Sequence, residues 1–344
     1  MKIPLHSPTI YRCEMEAVLN RMVEEEVGPG DSNKELASKV SQYFGGAVAV
    51  AFRSPAIALS YALSSCNVSC GGSVLLSPLA PYWVYTELKK RDVKPILVDT
   101  SRDDLFMNVG DIKAKIEAEA LDVQAIIVSE PLGFVPDMQE LLKLGIPIIE
   151  EISESMGAKR GDVLAGAFGD VAILGLEERD ILTGGGGAVM IANNKNVQTS
   201  LKEIASSLLP IELMPDINAS LALIQLRQMS KNTSIKLEFL QTYKKALLQT
   251  NHKTFSSSDD SVNPVYSFPV LFSSNIGEIE KFVEKKGIEI KKAFEDSILA
   301  FRKDLQEEFV NATSILLRTY LFPLYPRLGK KQAIEIAKIL TVLP

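Results

Sequence analysis

Cysteine and histidine are scarce: the 344 residues include three cysteines and two histidines. Cys13, Cys66 and Cys70 are too few for a disulfide framework, and Cys66 and Cys70 lack the second pair or nearby histidines of a zinc site. All three read as reduced thiols. With only His6 and His252 available, a histidine-based triad or metal cluster would rest on isolated residues, which disfavours most hydrolase and metalloenzyme chemistry. No apolar run approaches the roughly 20 residues needed to cross a bilayer, and the opening MKIPLHSPTI has no apolar h-region. Neither membrane insertion nor export is expected, and the protein is expected to be cytoplasmic. Nor is there a block of Lys and Arg: 43 acidic and 37 basic residues are mixed along the chain, with a net charge of −6. Such a surface does not follow a phosphate backbone, so nucleic acid is not an expected partner.

What the chain does have is apolar content, 46% of residues, enough at this length for a full core and more naturally two packed domains than one. Seven short apolar runs rich in β-branched residues recur: Ala47 to Phe52, Val74 to Leu79, Pro95 to Asp99, Ala125 to Glu130, Pro147 to Ile152, Val171 to Leu176 and Ala188 to Ala192. They are continuous rather than alternating, as strands covered on both faces must be. Helix-period segments lie between them at Ser54 to Ser65, Tyr82 to Arg91, Val109 to Ala120 and Asp137 to Leu144. An α/β fold with a mostly parallel, doubly covered seven-stranded sheet follows. A helical pattern of more than 30 residues from Ile217 to Leu248 suits a connection between domains, so the expected division is 1–230, a large domain, and 231–344, a small α+β domain. The latter offers a strand at Val265 to Phe272 and helices at Ile276 to Lys286 and Lys330 to Leu340; the polar stretch Ser256 to Ser261 reads as a surface loop.

Three segments carry candidate chemistry. In AVAVAFRSPAIALSYAL a strand turns into a helix whose N-terminus can hold an anion, yet Ser54 as N-cap and Pro55 as first helical residue are explained by capping alone. In IPIIEEISESMGAK a buried strand ends in Glu150, Glu151 and Glu154, where α/β proteins place ligands, though exposed loop glutamates are equally ordinary. In GDVAILGLEERDILTGGGGAVMIANN two strands flank a charged loop and four glycines, which permit close approach to a ligand or only a tight connection.

Taken in order, these segments resemble the sugar-nucleotide aminotransferases of the DegT/StrS group, which are pyridoxal-phosphate (PLP) enzymes of fold type I. IPLHSPTIYRCEMEAVL resembles that family's opening, YFGGAVAVAFRSPAIAL its first strand and phosphate turn, and KPILVDT its third strand. PIIEEISESMGA resembles its "IEDAAHALGA", GAFGDVAILGLEERDILTGGGGAVMIAN its "GSFGDAACFSFHPTKNITTGEGGMVVTD", and FPLYPRLGKKQAIEIAKIL its C-terminal "LPLYPGLTEEDVERVIEAL". The likeness covers nearly the whole chain and implies a fold-type I architecture with a small C-terminal domain.

It also implies functional positions, and at these the chain departs from the pattern. Four residues before the glycine turn the family has a lysine that forms a Schiff base with PLP; counted back from that turn, the position is Arg179. A guanidinium stays protonated and forms no useful imine. The family's phosphate-binding "SGT" becomes Ser54-Pro55-Ala56, and its phosphate-binding serine becomes Leu174. The ring-covering aromatic aligns with Pro81, with Tyr82 or Trp83 as substitutes after a short shift, while the aspartate for the pyridine nitrogen becomes Glu151 and the next ring contact Glu154. The "NYRM" before the long helix becomes Ile211-Glu212-Leu213-Met214, and the histidine-containing substrate loop becomes Lys291-Lys292-Ala293-Phe294.

The resulting expectation is a non-catalytic or repurposed homologue with no bound cofactor, binding a partner subunit or a nucleotide-sugar ligand. The alternative is an aminotransferase or dehydratase-like enzyme holding PLP or pyridoxamine phosphate (PMP) non-covalently and acting on a nucleotide-linked keto sugar. A homodimer is expected, or a mixed dimer with a paralogous aminotransferase. Arg179 is expected to pair with Glu151, Glu154, Glu177 or Glu178.

Overall fold

The computed structural model describes residues 2–102, 104–256 and 261–344, so 257–260 of the polar stretch lie outside the described residues. The apolar runs become strands β1 (Val48–Phe52), β2 (Ser73–Leu76), β3 (Lys94–Leu97), β4 (Val123–Ser129) and β5 (Ile148–Glu151). A short hairpin of β6 (Lys159–Arg160) and β7 (Val163–Leu164) precedes β8 (Val171–Gly175) and β9 (Ala188–Ala192). The seven long strands form one sheet in the order β1-β9-β8-β5-β4-β2-β3, with β9 antiparallel to both neighbours and the other pairings parallel.

Every residue of β2, β8 and β9 is buried. The reason is helices on both faces: α1 (Arg12–Val23), α2 (Asp31–Tyr43), α3 (Pro55–Ser65), α4 (Tyr82–Lys90), α5 (Val109–Glu119), α6 (Met138–Leu142), α7 (Lys195–Ser207) and the 32-residue α8 (Asp216–Leu247). Leu59 and Leu63 of α3 with Val84 and Leu88 of α4 fill one face, and Leu36 and Val40 of α2 with Ala219 and Ala222 of α8 fill the other.

Five of the seven strands stop one to three residues before their apolar runs end. At Ser77 the chain leaves the sheet, with the Leu79 N–H donating to Ser77 Oγ and the Ala80 N–H to the Ser77 carbonyl, because Pro78 has no N–H for a ladder. Past α8, β10 (Ser261–Val262) pairs with β6, and a three-stranded sheet β11-β13-β12 is built from β11 (Phe268–Leu271), β12 (Lys291–Lys292) and β13 (Thr319–Phe322). It packs with α9 (Ile276–Lys285), α12 (Gly329–Leu340) and the second half of α8, through Phe239 and Tyr243, into a third core. Between them, α10 (Ile298–Phe301) and α11 (Val310–Arg318) return to the large sheet, where Leu299, Ile315 and Leu316 join the first core. Asp99, just after β3, fastens α11 by accepting from the N–H groups of Asn311 at 3.0 Å and Ala312 at 2.9 Å.

Candidate functional site

The parallel strands end on a cleft of about 1070 Å³, roofed by the small sheet. It brings together Ser54, Pro55, Ala56, Pro81, Glu151, Glu154 and Arg179 from four separate parts of the sequence. Leu174 does not belong there. Successive side chains of a strand point to opposite faces, and Leu174 lies fully buried with Leu36, Val189 and Met214 in the core away from α3.

At the head of α3, Ser54 Oγ accepts from the Ile57 N–H at 3.3 Å, the capping role its sequence position suggested. Pro55 contributes no donor. The Ala56 N–H has no intrahelical acceptor, and Ala56 lines the cleft. Pro81 ends the approach to α4 and bridges Ser297; the Tyr82 ring stacks on Phe301 at 4.4 Å, so of the two aromatic substitutes Trp83 is the one without a ring partner among the described residues.

The two glutamates at the end of β5 separate. Glu150 points away from the cleft and accepts from the N–H groups of Gly166 at 3.0 Å, Phe168 at 2.9 Å and Gly169 at 2.5 Å, so it stitches a loop. Glu151 faces the cleft, where it accepts from the N–H and hydroxyl of Ser153. Glu154 accepts from the Leu132 N–H at 2.6 Å and lies beside Tyr266. Asp180, directly after Arg179, accepts from the Glu177 N–H at 2.7 Å. Burial pushes all three cleft acids up, Glu154 to about 7 and Asp180 well above its ordinary value, while Glu151 and Glu154 reinforce the shift on Asp180. Burial and the Glu154 charge also hold the Tyr266 phenol protonated.

Bases and acids share the mouth, where Glu177, Glu178, Glu289, Glu295 and Asp296 stand among Arg179, Lys291, Lys292 and His6. Arg179 is 54% exposed and pairs with Glu295 at 3.1 Å and Asp296 at 3.9 Å, both from the segment under the small sheet. None of the four expected glutamates is its partner, because the loop turns the guanidinium outward. Lys291 reaches Glu295 at 3.6 Å, and Lys292 and His6 also line the opening. Two hydroxyls lining the cleft, Ser129 Oγ and Ser267 Oγ, are buried without a hydrogen-bond partner. Among the described residues no group of three or more His, Cys, Asp or Glu is placed to hold a metal ion. Ser153, Asp180 and Tyr266 escaped the sequence reading: Ser153 is one of many serines, Asp180 is masked by its charged neighbours, and Tyr266 arrives from 86 residues beyond Asp180.

The family model of the DegT/DnrJ/EryC1/StrS aminotransferase family matches residues 8–209 and 211–341. GDP-perosamine synthase of Escherichia coli O157:H7 is 23% identical over 359 residues, covering 98% of this chain and 97% of that protein. Among solved structures, a Streptococcus pneumoniae protein assigned as a sugar aminotransferase superposes in its PLP-form with a TM-score of 0.89 at 16% identity, over 100% of this chain and 98% of that one. A DegT DnrJ EryC1 StrS aminotransferase of Brucella abortus gives 0.84 at 19% identity, over 95% and 94%. The pneumococcal protein is also solved in a PMP-form. The expectation that no cofactor is bound is therefore corrected: the family and its solved neighbours are those of cofactor-binding proteins, and the changes at Pro55, Ala56 and Arg179 do not outweigh that.

Proposed function

The chain belongs to the DegT/DnrJ/EryC1/StrS aminotransferase family, and from that premise we propose that it is an enzyme acting on a nucleotide-linked keto sugar with PLP or PMP held without a covalent bond to the protein. The observation that carries this reading is the cleft itself: it keeps a carboxylate at the end of β5 while the chain between 160 and 194 contains no lysine. The two orphaned hydroxyls of Ser129 and Ser267 mark a polar pocket that a ligand completes, since buried polar atoms are ordinarily satisfied. A purely non-catalytic role has less support, because the matched family is one of aminotransferases.

In this reading Glu151 would pair with the pyridine nitrogen, Trp83 would flank the ring, and the Ala56 N–H with the Ser54 hydroxyl would meet the phosphate at the positive end of α3. The bound cofactor supplies the amino-group carrier and electron sink of the chemistry. Glu154, pushed up to about 7 by burial, can take up or release a proton near neutral pH on a carboxyl that also receives the Leu132 N–H, and Tyr266 beside it stays a hydrogen-bond donor. Lys291, Lys292 and Arg179 at the mouth suit the pyrophosphate of a nucleotide-linked sugar. We further propose a cytoplasmic homodimer and a division of the chain near residue 230, within α8.

The test is a titration of the purified protein with PMP, followed by equilibrium dialysis, and a parallel incubation with PLP and borohydride. Saturable, reversible PMP binding is expected, with no lysine of the chain carrying near-stoichiometric reduced label. The reading fails if PMP does not bind.

A further inference from the structure

Counted back from Thr183-Gly184, the family string quoted above puts its lysine at Arg179; counted forward from Gly169-Asp170, it puts the lysine at Asp180, because this chain is one residue shorter between the two anchors. The direction of side chains along β8 decides between the counts. Val171 and Ile173 face the core that contains α3, whereas Ala172, Leu174 and Leu176 face the opposite core. Position 175 therefore looks toward α3 and the cleft. A Cβ on Gly175 would lie 2.5 Å from Ser153 Oγ and 2.6 Å from Asp180 Oδ2, so the Asp180 carboxyl occupies the space directly over Gly175.

The surrounding contacts fix it there. The Ile181 N–H donates to the Ser153 carbonyl at 3.0 Å, the Gly175 N–H donates to Ser153 Oγ at 2.9 Å, and Ser153 in turn holds Glu151. Ile181, the residue after Asp180, is thus tied through Ser153 to the carboxylate assigned to the ring nitrogen. Arg179, by contrast, points to solvent and to Glu295.

We propose that Asp180 is the residue of this cleft that meets the reacting carbonyl of a bound ligand, and that its carboxyl is the acid that protonates it. The Oδ–H bond breaks as an O–H bond forms on the carbonyl oxygen; the carboxylate left behind is stabilised by the Glu177 N–H, and water returns the proton. This assignment rests on the cofactor-holding function proposed above.

The test places an amine at each candidate position. Asp180→Lys and Arg179→Lys are separately incubated with PLP, reduced with borohydride and mapped by peptide mass spectrometry, with the wild type giving the background at Lys291 and Lys292. Near-stoichiometric label at position 180 and less than a tenth of it at position 179 is the expected result; label at 179 and not at 180 overturns the assignment. The wild type's PMP binding separates the two readings: if PMP binds and neither variant is labelled, the Asp180 assignment is wrong, and if PMP does not bind, the function falls and takes the assignment with it. Should Asp180→Lys not fold by circular dichroism, Asp180→Cys replaces it. PMP should then slow its alkylation by iodoacetamide at least tenfold while leaving Arg179→Cys unaffected; equal behaviour of the two overturns the proposal.

Discussion

Glu130, at the end of β4, is a carboxyl the sequence reading passed over. Only 1% exposed, it accepts from Ser155 Oγ at 2.8 Å and lies against Glu150, which is already committed to three backbone N–H groups. Burial first, then the Glu150 charge, push Glu130 well above the ordinary carboxyl range, so the folded protein keeps a proton that the unfolded chain gives up. The linkage runs one way: this contribution is whole below the unfolded value, about pH 4, and drains as pH rises through the folded one. Unfolding free energy measured in denaturant should fall from pH 5 to pH 9, and Glu130→Gln should flatten that fall by about 1 kcal/mol or more. An unchanged slope would place the titrating proton elsewhere. Glu154 titrates in the working range, at about 7. Ligand binding should therefore show an inflection near neutral pH that Glu154→Gln abolishes, with binding changed less than about tenfold on the acidic side, where the wild-type group is also neutral. Residues at this scale were half legible: the Glu150, Glu151, Glu154 cluster stands out in the sequence, but that Glu150 is the one turned away from the cleft is fixed by strand alternation and by the N–H groups of a loop 16 to 19 residues later.

Helix α8 begins with a carboxylate that serves another helix. Asp216 accepts from the N–H groups of Gly30 at 2.8 Å, Ser32 at 2.9 Å and Asn33 at 2.9 Å, so it caps α2 across 183 to 186 residues of sequence. Charge-assisted bonds of this kind contribute about 1.5–3 kcal/mol each, and losing all three leaves buried donors bare, so Asp216→Ala should cost about 3–5 kcal/mol in chemical denaturation. A loss under 1 kcal/mol would mean that water or the Asn33 side chain replaces the cap. Elements were the most readable level: all seven strands of the large sheet and the long helix stand near their expected positions. The misses have local causes. Val265 takes a left-handed φ of 60°, so the expected strand Val265 to Phe272 shrinks to β11. The short α10 and α11 have no long apolar period of their own and are held by the first core and by Asp99.

The whole molecule leaves one helix face uncovered. Met15, Leu19, Met22 and Val23 of α1 are 54–74% exposed at helical spacing, and Leu209 and Ile211 are 61% and 69% exposed. Under the proposed dimer this stripe is the interface, since a two-fold axis brings the same stripe from both copies. Sedimentation should show a dimer at micromolar concentration, with Leu19→Asp raising the dissociation constant at least about 100-fold if the residue sits at the interface centre. A wild-type monomer would remove the dimer from the reading.

The fold class and the cleft's β5 acids were readable from one sequence because they rest on local runs of residues. The one-residue contraction shows in the sequence only as two counts that disagree, and which of Arg179 and Asp180 it turns inward was not readable, because a string comparison carries no direction for side chains.

Helix α8 itself has a mechanical meaning. Its first half is bedded in the large sheet through Ala219, Ala222 and Leu223, and its second half in the third core through Phe239, Tyr243, Ala246 and Leu247. At 1.5 Å per residue it is a rod of about 48 Å without an internal proline or glycine. The two jaws of the cleft are thus mounted on one beam, with α10 and α11 as a second tie to the large sheet, so the gap between them depends on the bending stiffness of that beam and not on the slack of a linker. A ligand that closes the gap must flex the rod or slip around it, so a glycine pair placed at Lys231 and Asn232 should act like a joint cut into a lever, widening the spread of gap widths seen by paired spin labels while leaving each jaw folded.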